Sequence, residues 1–547
     1  MKALILSIIL GTVIIGSATA APEIPAFKVG IELPSQVPVP APLEAALKEM
    51  GISYINFYIN TSIKPENSPD MPAKEVNNAM MDLADRLKLD YSISCHISDP
   101  PDECVRDAVV RGKESGRFRG VVFDELEHIR LLQYGMYGTR EYAPIADPEK
   151  FKTLDQAYTE SVAGFRKLKD KFAALGCNDV VSTHVWPVMH HVSAPGGFIV
   201  CPKICKELYS PVSLAIGLGA AKQYGRSLWV DIDLWHYDQI PGHSAEEFKS
   251  NLMLAYWTGA DVVYVEGSGY NLYPAGKQGI PFSMMTQINT TDYQLTPIGE
   301  TLRWFCKEYA PSHPRPWTFR DIKPSVAIIR FEDSCHGQRF FEPTDHLYGS
   351  SNLHSDEDTE AWLPLWNLLT MGKTGRDGLT YFKVPYGAYG YQRPVQPGVA
   401  QSIASRPLQA EAHKFFSPLN GVVVYDHLVG YDLLKGIPLL AVTGKQISTE
   451  TMDAVRKCVQ EGAVCLFWAP LAKKNGFKYG KESVEIVPEG KGRFVLTNDF
   501  QLPTVWQNVW NLVGRPDEIR YQFGEKVVTL KRITDNEVVV DIDGVRQ

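Results

Sequence analysis

The strongest constraint on this chain is an alternation that runs through its first three hundred residues. Short hydrophobic runs at 27–32, 54–59, 91–97, 120–124, 180–185, 227–233 and 261–266 are rich in β-branched and aromatic residues. Such runs read as buried parallel strands. Stretches at 43–50, 75–87, 154–175, 211–224 and 245–258 lie between or after them. There apolar residues recur every three or four positions, as at Phe248, Leu252, Ala255 and Tyr256. Strands joined through helices predict the α/β class, and this many units predict a closed (β/α)8 TIM barrel rather than an open doubly wound sheet. The eighth strand is the least defined; it is expected at 280–288, ahead of a helix at 297–309.

Residues 1–20 stand outside that pattern. Lys2, an apolar stretch from 3 to 16 and the small residues Ala18, Thr19 and Ala20 read as a signal peptide cleaved near Ala20. The expected location is secreted or periplasmic. No run approaches the roughly 20 apolar residues of a membrane helix, so no membrane partner is expected. The net charge of −8 argues against nucleic acid as a partner. Aromatic residues at 11%, with eleven tryptophans, suit a large packed enzyme and also one that stacks sugars. The nine cysteines are scattered without a C-x-x-C pair. They read as structural residues, and neither a metal nor another cofactor is expected.

The proline-rich segment 311–316 punctuates the chain and closes a barrel domain spanning 26–315. A Rossmann-like α/β domain is expected over 320–478. Its strands are at 325–331, 421–425, 438–442 and 463–468, and its clearest helix, 449–460, can be capped by Ser448 and is followed by Gly462. Alternating apolar and polar residues at 492–496, 526–530 and 537–542 predict a small C-terminal antiparallel β domain over 480–547.

Two of the barrel runs stop at carboxylates. One reads Gly120-Val-Val-Phe-Asp-Glu-Leu-Glu-His128, and the other Asp261-Val-Val-Tyr-Val-Glu-Gly267. The C-terminal ends of barrel strands build the active site. Paired carboxyl groups at such a place are the working parts of glycosidic-bond hydrolysis. Asp231 and Asp233 share one face of their strand by the two-residue period, with Trp235 and His236 beyond the tip. Asp233 and His236 are candidate hydroxyl binders and Trp235 a stacking platform. Glu32, His96, His184 and Trp186 end or follow the first, third and fifth strands and are candidate substrate binders. A metal at His184, His190 and His191 is the weaker reading, because no carboxylate lies beside them at ligand spacing.

At the segment from Leu440-Ala-Val-Thr-Gly-Lys-Gln-Ile-Ser448 through Glu461-Gly-Ala-Val-Cys465 the α/β domain resembles a glutamine-amidotransferase-like domain. The order of barrel, amidotransferase-like domain and small β domain resembles glycoside hydrolase family 42 β-galactosidases and related clan A enzymes. The resemblance implies a carbohydrate substrate, a retaining mechanism, an acid/base after the fourth strand and a nucleophile after the seventh. On the strand count above these are Glu125 and Glu266. It also implies a homo-oligomer, dimer or trimer, built by the second domain. That domain offers no thiol on the turn at Thr443 and Gly444, so amidotransfer is not expected. Asp124 stands where many clan A enzymes carry the Asn that binds the sugar's 2-hydroxyl, so the resemblance makes it a candidate substrate binder, while Asp124 and Glu127 stay open as alternative acids. An inverting enzyme with Asp233 as base, a carbohydrate-binding barrel without catalysis, and an assembly scaffold are the competing readings.

Overall fold

A computed structural model describes residues 27–33, 37–59, 72–95, 99–126, 145–184, 189–205, 210–234, 243–266, 284–331, 346–371, 415–480 and 483–547. Eight parallel strands close into a barrel: β1 Lys28–Leu33, β2 Tyr54–Tyr58, β3 Asp90–Cys95, β4 Phe118–Asp124, β5 Val180–His184, β6 Ile199–Ile204, β7 Trp229–Asp233 and β8 Val262–Glu266. Pairing of β1 with β8, Val29 opposite Val263, completes the ring.

The strand count differs from the sequence-based one at a single point. The sixth strand is Ile199–Ile204, so the runs expected to be sixth and seventh are β7 and β8. The eighth strand expected at 280–288 is not part of the barrel. Of that stretch, Met285–Gln287 pairs antiparallel with Tyr293–Leu295 outside it. The cause is Pro202 and Lys203, which break the apolar look of β6. Proline cannot donate to a ladder, and the β6–β7 pairing resumes only at Lys203 opposite Asp231.

The helices are α1 Ala41–Met50, α2 Ala73–Leu87, α3 Asp102–Ser115, α4 Leu154–Ala174, the single turn α5 His190–Ser193, α6 Ser210–Gln223, α7 Ala245–Trp257 and α8 Pro297–Trp304. Their starts follow from local chemistry. The side chains of Thr153, Ser244 and Thr296 accept hydrogen bonds from the backbone N–H of Gln156, Glu247 and Gly299, so each caps its helix. Gly51 and Gly116, both with positive φ, end α1 and α3.

Alternation along the strands divides the interior in two. Tyr54, Val122, Val181, Cys201, Trp229, Val262 and Tyr264 face inward and form an apolar plug. Tyr54 meets Trp229 edge-on, with ring centroids 5.6 Å apart. Gly30 makes room for that plug, since a Cβ there would lie 2.1 Å from the Tyr54 carbonyl oxygen. The inward positions nearer the C-terminal tips are polar, and these form the candidate site.

Beyond the barrel, a six-stranded sheet runs in the order Val422–Asp426, Val326–Arg330, Leu439–Thr443, Val464–Trp468, Gly492–Thr497, Val484–Glu489. Its helix Thr449–Glu461 is capped by Ser448, and Gly462 follows it, as the sequence leads one to expect. The expected boundary at 478–480 is corrected here. Gly492–Thr497 belongs to this sheet, parallel to Val464–Trp468, and not to the C-terminal domain. The last sheet is five-stranded: Leu419–Asn420, Glu518–Phe523, Lys526–Arg532, Val538–Ile542 and Val545–Arg546. The middle sheet is tied directly to the barrel. Asp426 accepts hydrogen bonds from Tyr158, Tyr224 and Gln223, and Gly219 of α6 lies so close to the sheet that a Cβ would sit 1.7 Å from the Val424 carbonyl oxygen. No described helix is long and apolar enough to cross a membrane. The eight described cysteines form no disulfide with one another, and Cys335 lies outside the described residues.

Candidate functional site

Strand parity sends Asp124 of β4, Lys203 of β6, Asp233 of β7 and Glu266 of β8 into the barrel mouth. All four are buried. Glu125 follows β4 and parity alone would turn it away. Its backbone instead adopts φ of 48°, a left-handed conformation uncommon outside glycine, and its carboxylate joins the group.

The centre is the Lys203 ammonium. Its Nζ lies 2.7 Å from Asp124 Oδ1, 3.1 Å from Glu125 Oε1, 3.2 Å from Asp233 Oδ2 and 2.6 Å from Glu266 Oε2. The lysine side chain is fully buried. Burial works against its charge, yet Asp124, Asp233, Glu125 and Glu266 outweigh it and push its pKa well above the ordinary lysine value. Asp124 is further held by the hydroxyls of Thr183, at 3.0 Å, and Tyr58, at 3.3 Å.

One ammonium cannot neutralise this many carboxylates, so protons must make up part of the difference. Burial first, then the charges of Asp124 and Asp233, push Glu266 well above the usual carboxylate range, and Lys203 only partly offsets them. Asp231 lies one layer deeper on β7 and receives a hydrogen bond from the Tyr264 hydroxyl at 3.0 Å. Burial pushes it up to about 7. Asp124, Asp231 and Glu266 bring carboxylate oxygens within 4.8 Å of one another. Glu266 and Asp231 are therefore the carboxyl groups of this cluster that burial most disposes to hold a proton.

The other sequence-predicted residues divide three ways. Glu32 is buried on β1, with the inward parity of Gly30. His184 is not at the mouth. It faces the helix layer, where its Nε2 lies 2.9 Å from Ser182 Oγ and 3.0 Å from Ser193 Oγ, and its ring meets Phe165 and His190 edge-on. Parity explains this: Thr183 takes the inward position. His190 and His191 are buried beside it, and burial followed by the two neighbouring imidazoles holds His190 well below the usual histidine range. His96, Glu127, Trp186, Trp235 and His236 lie outside the described residues.

Sequence reasoning missed Lys203, Tyr58 and Thr183. A signal for Lys203 exists: it is the one charged residue in Phe198-Ile-Val-Cys-Pro-Lys-Ile-Cys205. A lone charge in an apolar run is rarely buried without a partner.

No protein-family model and no curated protein sequence matches the chain. Solved structures share its architecture. A β-galactosidase from the psychrophilic Marinomonas ef1 aligns over 92% of this chain and 95% of its own, at 11% identity and a TM-score of 0.53. A β-galactosidase from Bacillus circulans sp. alkalophilus aligns over 93% of each chain at 10% identity and 0.53. One from the Antarctic haloarchaeon Halorubrum lacusprofundi aligns over 92% of this chain and 93% of its own, at 10% and 0.53. The fold is thus a closed (β/α)8 barrel with further sheet domains after it, an architecture these solved structures share. At this identity the likeness speaks for the fold, and function has to be argued from the site.

Proposed function

We propose that the chain is a retaining glycoside hydrolase acting on an oligo- or polysaccharide. The observation that carries the reading is the set of carboxylates gathered around Lys203 at the C-terminal end of a closed barrel. Retaining enzymes hold their two carboxyl groups about 5–5.5 Å apart, inverting ones about 6.5–9.5 Å. Oxygens 3.1 Å and 2.6 Å from one nitrogen are at most 5.7 Å apart, short of the inverting range, and this supports the retaining reading for Glu125 and Glu266. The β-galactosidases named above share the fold, and residues 1–20 favour action on a glycan outside the cytoplasm.

Glu125 and Glu266 stand at the tips of β4 and β8, on opposite walls of the mouth. The general acid must carry a proton and the nucleophile must not. Burial raises the Glu266 pKa well above the carboxylate range even though Lys203 lies 2.6 Å away, so Glu266 suits the acid, which leaves Glu125 for the nucleophile. This exchanges the roles expected from the sequence. In the first step a Glu125 oxygen bonds the anomeric carbon while Glu266 gives its proton to the departing oxygen. In the second, Glu266 takes a proton from water, whose oxygen displaces the Glu125 ester.

The corrected strand order favours a second reading. Asp233, not Glu266, ends β7, the position that the resemblance assigns to the nucleophile; Glu125 is then the acid/base. Azide rescue separates the two. On the first reading Glu125→Ala with azide yields a glycosyl azide of configuration opposite to the substrate's, and Glu266→Ala yields the retained one. Retained product from Glu125→Ala, with inverted product from Asp233→Ala, overturns the first reading in favour of the second.

A further inference from the structure

A second cluster lies outside the carboxylate ring. Cys205, directly after β6, has φ of 82°. This non-glycine left-handed turn accompanies a thiol that sits against the start of α7. There His243 and Glu247 stand four residues apart on either side of the Ser244 cap. The Cys205 Sγ is 3.3 Å from His243 Nδ1 and 3.7 Å from Glu247 Oε1, and His243 Nδ1 is 3.0 Å from Glu247 Oε2. The three side chains are buried, Glu247 to 1% exposure, and their donor atoms lie within 4.8 Å of one another.

We propose that Cys205, His243 and Glu247 form a binding site for a divalent transition metal, with Zn²⁺ the best fit. Thiolate, imidazole and carboxylate are the zinc ligand types, at about 2.3, 2.0–2.1 and 2.0–2.2 Å from the metal. Tetrahedral angles at those lengths separate the donor atoms by about 3.4–3.6 Å; Cys205 Sγ and His243 Nδ1 are 3.3 Å apart, and the two carboxylate oxygens of Glu247 stand one beside each, Oε2 3.0 Å from Nδ1 and Oε1 3.7 Å from Sγ. The alternative is a nucleophilic cysteine relay, in which imidazole bridges thiol and carboxylate through its two different nitrogens. Here both partners meet the same nitrogen, Nδ1, and the thiol also reaches the carboxylate directly, so the imidazole does not bridge the two. A cation at the common centre satisfies all three donors. The metal would fasten the start of α7 to the tip of β6, two residues from Lys203. This assignment is independent of the glycosidase reading.

The test is metal binding by the full chain. Apoprotein prepared with a chelator is titrated with Zn²⁺, and separately with Co²⁺ while the absorption spectrum is followed. One equivalent of each should bind, and Co²⁺ should give the thiolate charge-transfer band together with the intense visible bands of a tetrahedral site. Cys205→Ser should abolish the charge-transfer band, and His243→Gln and Glu247→Gln should each weaken Zn²⁺ binding at least tenfold. Native-like circular dichroism would show that the variants fold. Folded wild-type apoprotein that takes up no Zn²⁺ or Co²⁺ at equimolar micromolar concentrations overturns the proposal, whatever the variants do. So does a charge-transfer band that survives in Cys205→Ser.

Discussion

Lys203 holds four carboxylates around one buried ammonium. A fully buried ammonium is tolerable only because carboxylates surround it, and they depend on it in turn. Lys203→Met should therefore cost about 3–5 kcal/mol of stability, the typical price of stranding buried charge, with the loss growing as pH rises and the carboxylates give up protons. Denaturant titration at two pH values checks both statements. Asp231 makes a separate prediction. Its folded pKa of about 7 lies above the ordinary 3.8, so the folded state binds the extra proton. The stability this contributes is complete below about pH 4 and is lost as pH rises through about 7. Asp231→Asn removes that dependence. The melting temperature of wild type relative to the variant should fall between pH 4 and 7 and level off above; a constant difference would contradict it. Glu266 was legible in the sequence because a carboxylate stopping a hydrophobic run is conspicuous. Lys203 was not, because it sits inside its run, and the inward turn of Glu125 depends on a backbone angle that no pattern of residues announces.

At the scale of elements, β6 shows where reading by pattern fails. Seven strands could be read from their β-branched runs, and each has its counterpart in the barrel. Ile199–Ile204 is not conspicuous in the sequence because Pro202 and Lys203 interrupt its apolar run. With Ile199–Ile204 as β6, Asp233 ends β7 and Glu266 ends β8. Parity gave a second lesson: His184 ends its strand as expected, but Thr183 holds the inward position and His184 packs against α4 and α5. Helices were easier, since caps such as Ser244 and Ser448 are local signals. The α6 contact with the middle sheet was not legible, because it depends on two backbones meeting at long range. Gly219→Ala would drive a Cβ against the Val424 carbonyl. Overpacking of this kind costs about 1–3 kcal/mol, so the variant should melt lower than wild type. An unchanged melting temperature would show that the two surfaces separate readily.

For the whole molecule, barrel and following sheets form one connected body through Asp426, Gly219 and the hydrogen bond from Ser250 to the Asn536 carbonyl. The order of domains could be read from punctuation and period, whereas the boundary at 478–480 could not. Gly492–Thr497 alternates like an antiparallel strand, yet one neighbour is antiparallel and the other, Val464–Trp468, parallel. Local pattern does not say which sheet a strand will join. Across this body the polar mouth of the barrel is where charge, burial and proton storage coincide. The most direct measurement is hydrolysis of a panel of aryl glycosides and polysaccharides by wild type and Glu266→Gln, with folding of both confirmed by melting. Wild type should turn over at least one substrate, and the variant should lose about 10²–10⁴-fold, the usual worth of a general acid. A folded Glu266→Gln as active as wild type would contradict it, as would a wild type that binds a saccharide stoichiometrically and never cleaves it.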